Sequence, residues 1–235
     1  MYRSSGGFRR YQQLLGCLTR RIDGVLMTES MFPRQIETER LRFEQLSHKT
    51  VDLFDLYEFV QRDDWQDEAT EHMPWFRFKR LDEVARFIDH AEEQRKKRDT
   101  ARYLLRATDE DNQLIGLTAF GPEWETRRAG SGIVLAQQYW GNEYGLERAQ
   151  VFIELTFERY DLDAFYTTCA TDNEPSRRMI EKYVGRYGGQ HEGVLRQHSA
   201  RPSETVADQH RFTILRDEYE QKTQDMQTMQ FDINW

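Results

Sequence analysis

The period of hydrophobic and polar positions changes several times along this chain, and the changes predict alternating helices and strands. Apolar residues at helical spacing predict helices over residues 49–61, 81–98, 141–160 and 175–183. Short apolar or alternating runs predict strands over residues 36–46, 102–108, 113–120, 132–136, 164–170, 193–196 and 210–215. Several strands follow one another directly, which favours a mixed α/β domain over a purely parallel, doubly wound sheet.

The two ends of the chain differ in composition from its centre. Residues 1–30 contain five Arg but only one Asp and one Glu, and we predict that they form a basic, poorly ordered N-terminal extension. An upstream extension, an early start codon and an organellar transit peptide are the three interpretations of this segment. Residues 31–220 form the predicted domain, and residues 221–235, rich in Gln and Met, are predicted to be a C-terminal tail.

Composition and charge narrow the classes of function. A formal charge of −8 disfavours direct binding of nucleic acid through overall charge. No apolar run approaches the length of a membrane span. Two cysteines are too few for a disulfide framework or a cysteine-only zinc site, and the six histidines show no metal-ligand spacing. We therefore expect a cytoplasmic protein that binds neither a membrane nor a metal.

One segment, residues 132–149 (GIVLAQQYWGNEYGLERA), predicts a short strand that leads through a glycine-bearing turn into a helix. The first amides of a helix have no internal partner, and the helix dipole adds partial positive charge there. Such a joint can therefore bind the phosphate groups of a ligand. Strand–glycine–helix joints also occur throughout α/β proteins, so the segment alone leaves a phosphate site and a purely structural joint both open.

A second segment, residues 171–182 (TDNEPSRRMIEK), follows the next predicted strand. Asn173 comes directly after the strand end, and Ser176 lies at the start of a helix. An Asn side chain can bridge backbone amides across a gap in a sheet, and a Ser hydroxyl can donate a hydrogen bond into a cleft. The alternative interpretation is that Asn173 or Asp172 simply caps the helix.

Three segments together resemble the GNAT superfamily of acetyl-CoA-dependent N-acetyltransferases. They are residues 36–46 (IETERLRFEQL), 137–149 (QQYWGNEYGLERA) and 173–182 (NEPSRRMIEK), in the family's order and spacing. The closest branch is the one named for N-terminal acetylation of ribosomal proteins, and the resemblance covers about residues 34–217. It implies one twisted, mostly antiparallel sheet flanked by helices. A V-shaped cofactor cleft would split this sheet between the strands at 132–136 and 164–170, which would form its only parallel pair.

The resemblance also implies roles for particular residues. The CoA diphosphate would bind at a loop whose members are Gln138, Gly141, Asn142, Glu143, Tyr144 and Gly145. The backbone of Val134 and Leu135 would pair with the pantetheine amides, and Asn173 would contact the pantetheine arm. Many GNAT enzymes protonate the leaving thiolate with a Tyr that would fall at Ile180 here, so Ser176 is the candidate proton donor.

Two residues depart from the family's pattern. Glu143 replaces the usual Gly or Ala of the diphosphate loop, and its charge would repel the diphosphate if it pointed inward. We expect it to turn to solvent or to adopt an ordinary αR conformation. Gly130 stands where related sequences often have a Glu that has been a candidate base. The nearby carboxylates are Glu123 and Glu125.

The reaction needs a group that takes a proton from the substrate ammonium before the amine attacks the thioester. Glu125 is the candidate base, with His72 or ordered water as alternatives, and a solvated loop carboxylate is the other interpretation of Glu125. No covalent enzyme intermediate is needed, so Cys169 is predicted to be a core residue. Trp75 and Phe76 are candidate walls of the acceptor pocket, although ordinary core packing fits them equally well.

The predicted function is transfer of an acetyl group from acetyl-CoA, the co-substrate, to a primary amine. The acceptor is a protein or peptide N-terminus or a small molecule, and the negative overall charge favours a cationic amine. Two alternatives belong to other classes: an acyl-CoA-binding module without transferase activity, and a protein-interaction subunit whose cofactor cleft is closed. We expect a monomer or a homodimer.

Overall fold

The computed structural model describes residues 19–22, 25–28, 30–200, 206–224, 226 and 229–235. Two strands, β1 (Thr19–Ile22) and β2 (Val25–Thr28), pair in a small antiparallel sheet of their own. The main sheet has nine strands: β3 (Gln35–Glu37), β4 (Leu41–Gln45), β5 (Ala101–Ala107), β6 (Gln113–Glu123), β7 (Arg128–Leu135), β8 (Ala164–Ala170), β9 (Gln190–Ala200), β10 (Val206–Leu215) and β11 (Asp232–Asn234). Their order across the sheet is β11-β3-β4-β5-β6-β7-β8-β10-β9.

Helices cover both faces of the main sheet. They are α1 (Leu53–Val60), α2 (Leu81–Lys97), α3 (Tyr144–Glu154), α4 (Glu174–Arg186) and α5 (Arg216–Thr223). Local chemistry sets where they begin: the Asp52 carboxylate accepts hydrogen bonds from the amides of Phe54 and Asp55 and so caps α1. The predicted helix over 141–160 begins at Tyr144 and ends in a π-helical turn, Leu155–Arg159.

The sheet opens between β7 and β8. These two strands form the only parallel pair among the described strands, and they pair only where residues 128–130 face residues 164–166. Beyond that point the strands separate, so residues 131–135 of β7 have β6 as their only strand neighbour. The predicted mixed α/β sheet, its V-shaped opening and its single parallel pair are thus confirmed.

Two apolar cores lie on opposite faces of the sheet. The first lies against α3, α4 and α5 and contains aromatic residues such as Phe43, Phe152 and Phe212. The second lies against α1, α2 and residues 62–80, where Trp65 is fully buried. Successive side chains of a strand point to opposite faces of the sheet, so one strand contributes to both cores. Leu105, for example, belongs to the first core and its neighbour Leu104 to the second.

The structure differs from the sequence prediction at residues 36–46, which form two strands rather than one. Thr38 turns the chain between β3 and β4: its hydroxyl accepts from the Leu41 amide at 3.0 Å and donates to the Glu147 carboxylate at 2.6 Å. A Thr in a run of charged residues carries little sign of such a turn, because its partner Glu147 lies more than a hundred residues away in the sequence.

The predicted C-terminal tail also differs. Asp232–Asn234 add an antiparallel strand to β3 at the edge of the main sheet, and Phe231 and Ile233 pack against the first core. Arg159 lies 4.3 Å from the ring of Trp235. A short edge strand can pack with a single apolar side chain against the core, here Ile233. The polar composition of residues 221–235 therefore gave no sign of a strand. The predicted extension falls largely on residues 1–18, 23–24 and 29, which lie outside the described residues.

Candidate active site

The opening between β7 and β8 continues into a cavity of about 590 Å³. The end of β7 and the turn after it form one wall, and the starts of α3 and α4 form the other. The residues expected to hold acetyl-CoA that line it are Val134, Leu135, Gly141, Glu143, Tyr144, Gly145 and Asn173, and Ser176 lines it with them. Gln138 is exposed and, like Asn142, does not line the cavity. The structure therefore brings most of the predicted set together.

The start of α3 faces this cavity with free backbone amides. The first hydrogen bonds of the helix run from the amides of Leu146 and Glu147 to the carbonyl of Glu143. Among the described residues, the amides of residues 141–145 have no backbone partner. The dipole of the helix adds partial positive charge at the same place. These donors suit the oxygens of a diphosphate.

Gly145 allows α4 to pack against the start of α3. A Cβ atom at residue 145 would lie 2.1 Å from the sulfur of Met179, which is on α4 and also lines the cavity. Any side chain at this position would therefore force the Met179 side chain to move within the cleft. The glycine gives Met179 its place between the two helices and is not required by a positive φ.

Arg40 holds the loop at the start of α3, a role that the sequence analysis missed. Its guanidinium forms an ion pair with Glu147 at 2.8 Å and donates to the carbonyl of Asn142 at 3.0 Å. The guanidinium also lies 5.2 Å from the ring centroid of Tyr144, and the hydroxyl of Tyr144 donates to Asp109. The sequence offered one signal for this role, since Arg40 lies in the first family segment, residues 36–46. Its partner Glu147, however, is evident only from the fold.

Glu143 adopts a conformation that the sequence analysis did not expect. Its φ of 62° and ψ of 10° place it in the left-handed region, so the αR alternative is wrong, whereas the other alternative, a side chain turned to solvent, is the one observed. The side chain is exposed and pairs with Lys182 of α4, and this hydrogen bond lowers the pKa of the Glu143 carboxyl. The left-handed backbone explains why a Gly suits this position.

Asn173 and Ser176 lie together at the start of α4. The side-chain oxygen of Asn173 accepts a hydrogen bond from the Ser176 amide at 3.1 Å, so Asn173 caps the helix. Both residues also line the cavity, and capping therefore does not remove Asn173 from the cleft. Cys169 is buried beneath them, and this burial raises the pKa of its thiol to about 11. The thiol is neutral and part of the core, as expected.

The structure does not bring Glu125 to the cleft. Glu125 is exposed in the turn between β6 and β7 and lines neither of the two cavities described here. That turn precedes β7, whereas the cleft is lined by residues 133–135 at the other end of this strand. His72 does line the cavity, and its Nδ1 lies 3.7 Å from a carboxylate oxygen of Asp172.

A smaller cavity of about 190 Å³ adjoins the first on the α1–α2 face of the sheet. Met73, Ile133 and Val134 line both cavities. Trp75 and Phe76, the candidate walls of an acceptor pocket, line the smaller one. Its other lining residues are Leu46, Phe87, Arg102, Tyr103, Leu117, Thr118, Ala119 and Gly132. We refer to it below as the acceptor cavity.

A tyrosine ring explains why residue 130 is a glycine. A Cβ atom at Gly130 would lie 2.6 Å from the ring of Tyr166, directly opposite on β8. The Tyr166 hydroxyl donates to the Glu123 carboxylate, which also pairs with Arg128. Burial, together with the bond to Glu123, raises the pKa of Tyr166 to about 12. The Glu found at this position in related sequences has no room here.

Within the described parts of the chain, no three His, Cys, Asp or Glu side chains are grouped so that they could hold a metal ion. None of the described helices is both long enough and apolar enough to cross a membrane.

Comparison with known families agrees with this geometry. The acetyltransferase (GNAT) domain family matches residues 40–183, which is more than half of the chain. The chain therefore belongs to the GNAT acetyltransferase family. Comparison of its sequence with curated proteins finds no match.

Solved structures show the same fold at low sequence identity. A GCN5-related N-acetyltransferase from Brucella melitensis is 18% identical with a TM-score of 0.68, over 83% of this chain and 84% of that one. The microcin C7 self-immunity acetyltransferase MccE, in complex with acetyl-CoA and AMP, is 15% identical with a TM-score of 0.66, over 79% and 98%. RimL, a ribosomal L7/L12 alpha-N-protein acetyltransferase in complex with coenzyme A, is 15% identical with a TM-score of 0.65, over 77% and 97%.

Proposed function

We propose that this protein transfers the acetyl group of acetyl-CoA to the nitrogen of a primary amine. One observation carries the proposal: a cavity with free helix amides meets a second, aromatic-walled cavity at Ile133 and Val134. Two substrates that enter from the two faces of the sheet would meet there. The complexes of MccE with acetyl-CoA and of RimL with coenzyme A support the assignment of the larger cavity.

The residues around the larger cavity fit acetyl-CoA, which supplies the acetyl group as a thioester. The amides of residues 141–145 would hold the diphosphate. The unpaired edge of β7 would hold the pantetheine arm at Val134, because β8 has already diverged there. The indole nitrogen of Trp140 donates to the Leu135 carbonyl at 2.9 Å and closes this edge at its far end.

Two side chains are proposed to move protons. As the C–N bond forms and the C–S bond breaks, the leaving thiolate needs a proton, and the Ser176 hydroxyl is the proposed donor. The amine must be deprotonated before it attacks, and His72 is the proposed base because it lines the larger cavity beside Met73, which lines both. Its neighbour Asp172 would stabilise the protonated imidazole.

The two alternative functions predict different properties of the cleft. A protein-interaction subunit with a closed cofactor cleft does not fit the open cavity of about 590 Å³. An acyl-CoA-binding module would have the same cavity but no working proton donor or base. The distinction between enzyme and binding module therefore needs a measurement of turnover.

The experiment measures free thiol released from acetyl-CoA with a panel of primary amines, and binding of acetyl-CoA by titration calorimetry. The expected result is binding together with amine-dependent thiol release. Binding without release for every amine would indicate a binding module, and no binding would refute the proposal. His72→Gln should lower kcat strongly. Glu125→Gln tests the other candidate base and should leave kcat unchanged, since Glu125 lies outside both cavities. The reverse result would restore Glu125 as the base.

A further inference from the structure

The acceptor cavity contains a partly buried guanidinium group. Arg102 on β5 is the only charged residue among those that line this cavity. Its Nη1 atom is buried and has no hydrogen-bond partner among the described residues. The described contact of its guanidinium is with the ring of Phe87, whose centroid lies 5.7 Å from the guanidinium carbon. Burial lowers the pKa of Arg102, and no carboxylate of the described residues opposes that effect.

Arg106, on the same strand, is paired with a carboxylate, which is usual for a partly buried arginine. Arg106 is half-buried as well, but its Nε donates to the Glu44 carboxylate at 2.8 Å. Taking a guanidinium out of water without an anion costs free energy, because the hydration of the charge is not replaced. Among the described residues, Arg106 has an anionic partner and Arg102 has none. A ligand that brings its own anion would meet that need.

The sheet leaves open space between Arg102 and the meeting point of the two cavities. Arg102 pairs with Ala119 on β6, and Ala119 pairs with Gly132 on β7, so the three residues form one row that faces the acceptor cavity. A Cβ atom at Gly132 would meet nothing within 4 Å. A small ligand can therefore lie over Ala119 and Gly132, with one end at Arg102 and the other beside Ile133.

We propose that the acceptor amine carries a carboxylate, which the Arg102 guanidinium binds at the end of the acceptor cavity. This inference rests on the proposed acetyl transfer and names the class of its second substrate. A planar guanidinium matches a carboxylate with two parallel hydrogen bonds. A volume of about 190 Å³ fits a small amino acid or one terminal residue of a chain. We commit to the small amino acid, because the walls enclose so little space.

The charge of the whole protein is consistent with such a substrate. The formal charge of −8 attracts the ammonium end, while Arg102 provides a local positive charge for the carboxylate end. A fixed cation in the cavity also favours the neutral form of the bound amine, which is the form that attacks. A zwitterion thus satisfies both the overall charge and the local one.

The experiment compares matched amines that differ only in the anionic group. Glycine, β-alanine and 4-aminobutyrate are each paired with the corresponding carboxamide, and kcat/KM for thiol release is measured together with the shift in melting temperature at saturating ligand. At least one acid should exceed its carboxamide about tenfold or more in kcat/KM, since hydrogen bonds to charged groups are the strong ones. Equal values for all three pairs would overturn the inference, as would the absence of any binding or reaction.

Variants of Arg102 and Arg106 assign the preference to one side chain. Arg102→Met keeps an aliphatic stem beside Phe87 and should abolish the preference for the acid, and Arg102→Lys should retain part of it. Arg106→Met is the matched control and should keep the full preference. A preference that survives in Arg102→Met overturns the inference.

The readouts separate this inference from the proposed function. If acids raise the melting temperature of the wild type but not of Arg102→Met, while no amine releases thiol, the carboxylate site stands and acetyl transfer fails. If carboxamides release thiol as fast as acids, acetyl transfer stands and the carboxylate site fails. Titration with acetyl-CoA confirms in each variant that the larger cavity is intact.

Discussion

The two faces of the sheet build their halves of the site in different ways. On the α3–α4 face, the site consists largely of backbone amides at a helix start, and side chains such as Arg40 and Glu147 hold that start in place. On the α1–α2 face, the acceptor cavity consists of side chains from distant segments, including Trp75, Phe87 and Arg102. A site made of backbone leaves a contiguous motif in the sequence, whereas a site made of side chains leaves scattered residues. The family is therefore easier to recognise than the substrate.

The largest expected effects lie at the start of α4, which lines the larger cavity. Ser176→Ala removes the proposed proton donor, so kcat should fall by about a hundredfold or more while acetyl-CoA binding stays close to normal. Asn173→Ala removes a helix cap and a cavity contact, so it should cost about 1 kcal/mol of stability and raise the KM for acetyl-CoA. Steady-state kinetics and thermal melts on both variants measure the two effects.

An unchanged kcat for Ser176→Ala would leave protonation of the thiolate to water. A loss of stability in Ser176→Ala as large as that in Asn173→Ala would show that Ser176 acts in the fold of α4 instead. Either outcome would reduce the α3–α4 face to a binding surface and remove its chemical role.

A change confined to the acceptor face tests whether the two halves are independent. Trp75 is 53% exposed and lines only the acceptor cavity. Trp75→Ala should raise the KM for the amine by about tenfold through lost apolar contact, and should leave the KM for acetyl-CoA and the melting temperature nearly unchanged. Phe54→Ala is the control, because Phe54 is 62% exposed and lines neither cavity. A rise in the KM for acetyl-CoA in Trp75→Ala would show that the faces are coupled.

Glu143 offers a smaller test on the other face. Glu143→Gly relieves a left-handed backbone and removes a negative charge from the start of α3, so the affinity for acetyl-CoA should rise by about threefold. Glu143→Gln removes the charge but keeps the backbone strain, so it should raise affinity without raising the melting temperature. Calorimetric titration and thermal melts separate the two contributions. A weaker affinity in both variants would indicate that Glu143 helps to position Lys182.

The smallest expected effect concerns the N-terminal extension, which we propose lies outside the working domain. The described contacts of this end with the domain include the Met31 carbonyl, which accepts from Tyr160, and Phe32, which is fully buried. A chain that starts at Met31 keeps both, so its melting temperature and both KM values should match those of the full chain. A large decrease in melting temperature would place the extension within the fold.

Helices and strands with a strong hydrophobic period could be predicted from the sequence. The strand over residues 164–170 has the predicted bounds, and the helix predicted over 81–98 ends one residue earlier than expected. Features that depend on distant partners were not predictable: the turn at Thr38 needs Glu147, and β11 needs the free edge of β3. A period describes one segment at a time and contains no information about which segments meet.

The same limit explains why one part of the candidate site could be predicted from the sequence and another part could not. The residues of the loop before α3 and those at the start of α4 each lie in one short segment of the sequence, so motifs could place them in one cavity. In the sequence, Arg102 is an ordinary polar residue of an alternating strand. It differs from Arg106 only in three dimensions, where no carboxylate of the described residues pairs with it. Glu125 lies outside both cavities for the opposite reason: it is near β7 in the sequence, but at the end of that strand away from the cleft.

The contact between residues 130 and 166 limits how this site could change. A side chain at position 130 and the ring of Tyr166 claim the same volume, since a Cβ atom there would lie 2.6 Å from the ring. A carboxylate at 130 would require the Tyr166 ring to move away from Glu123 and Arg128, which it now contacts. A smaller residue at 166 would open the same space and would also lose these two contacts. A variant with a base at position 130 of β7 therefore gives up the contacts of Tyr166 by either route.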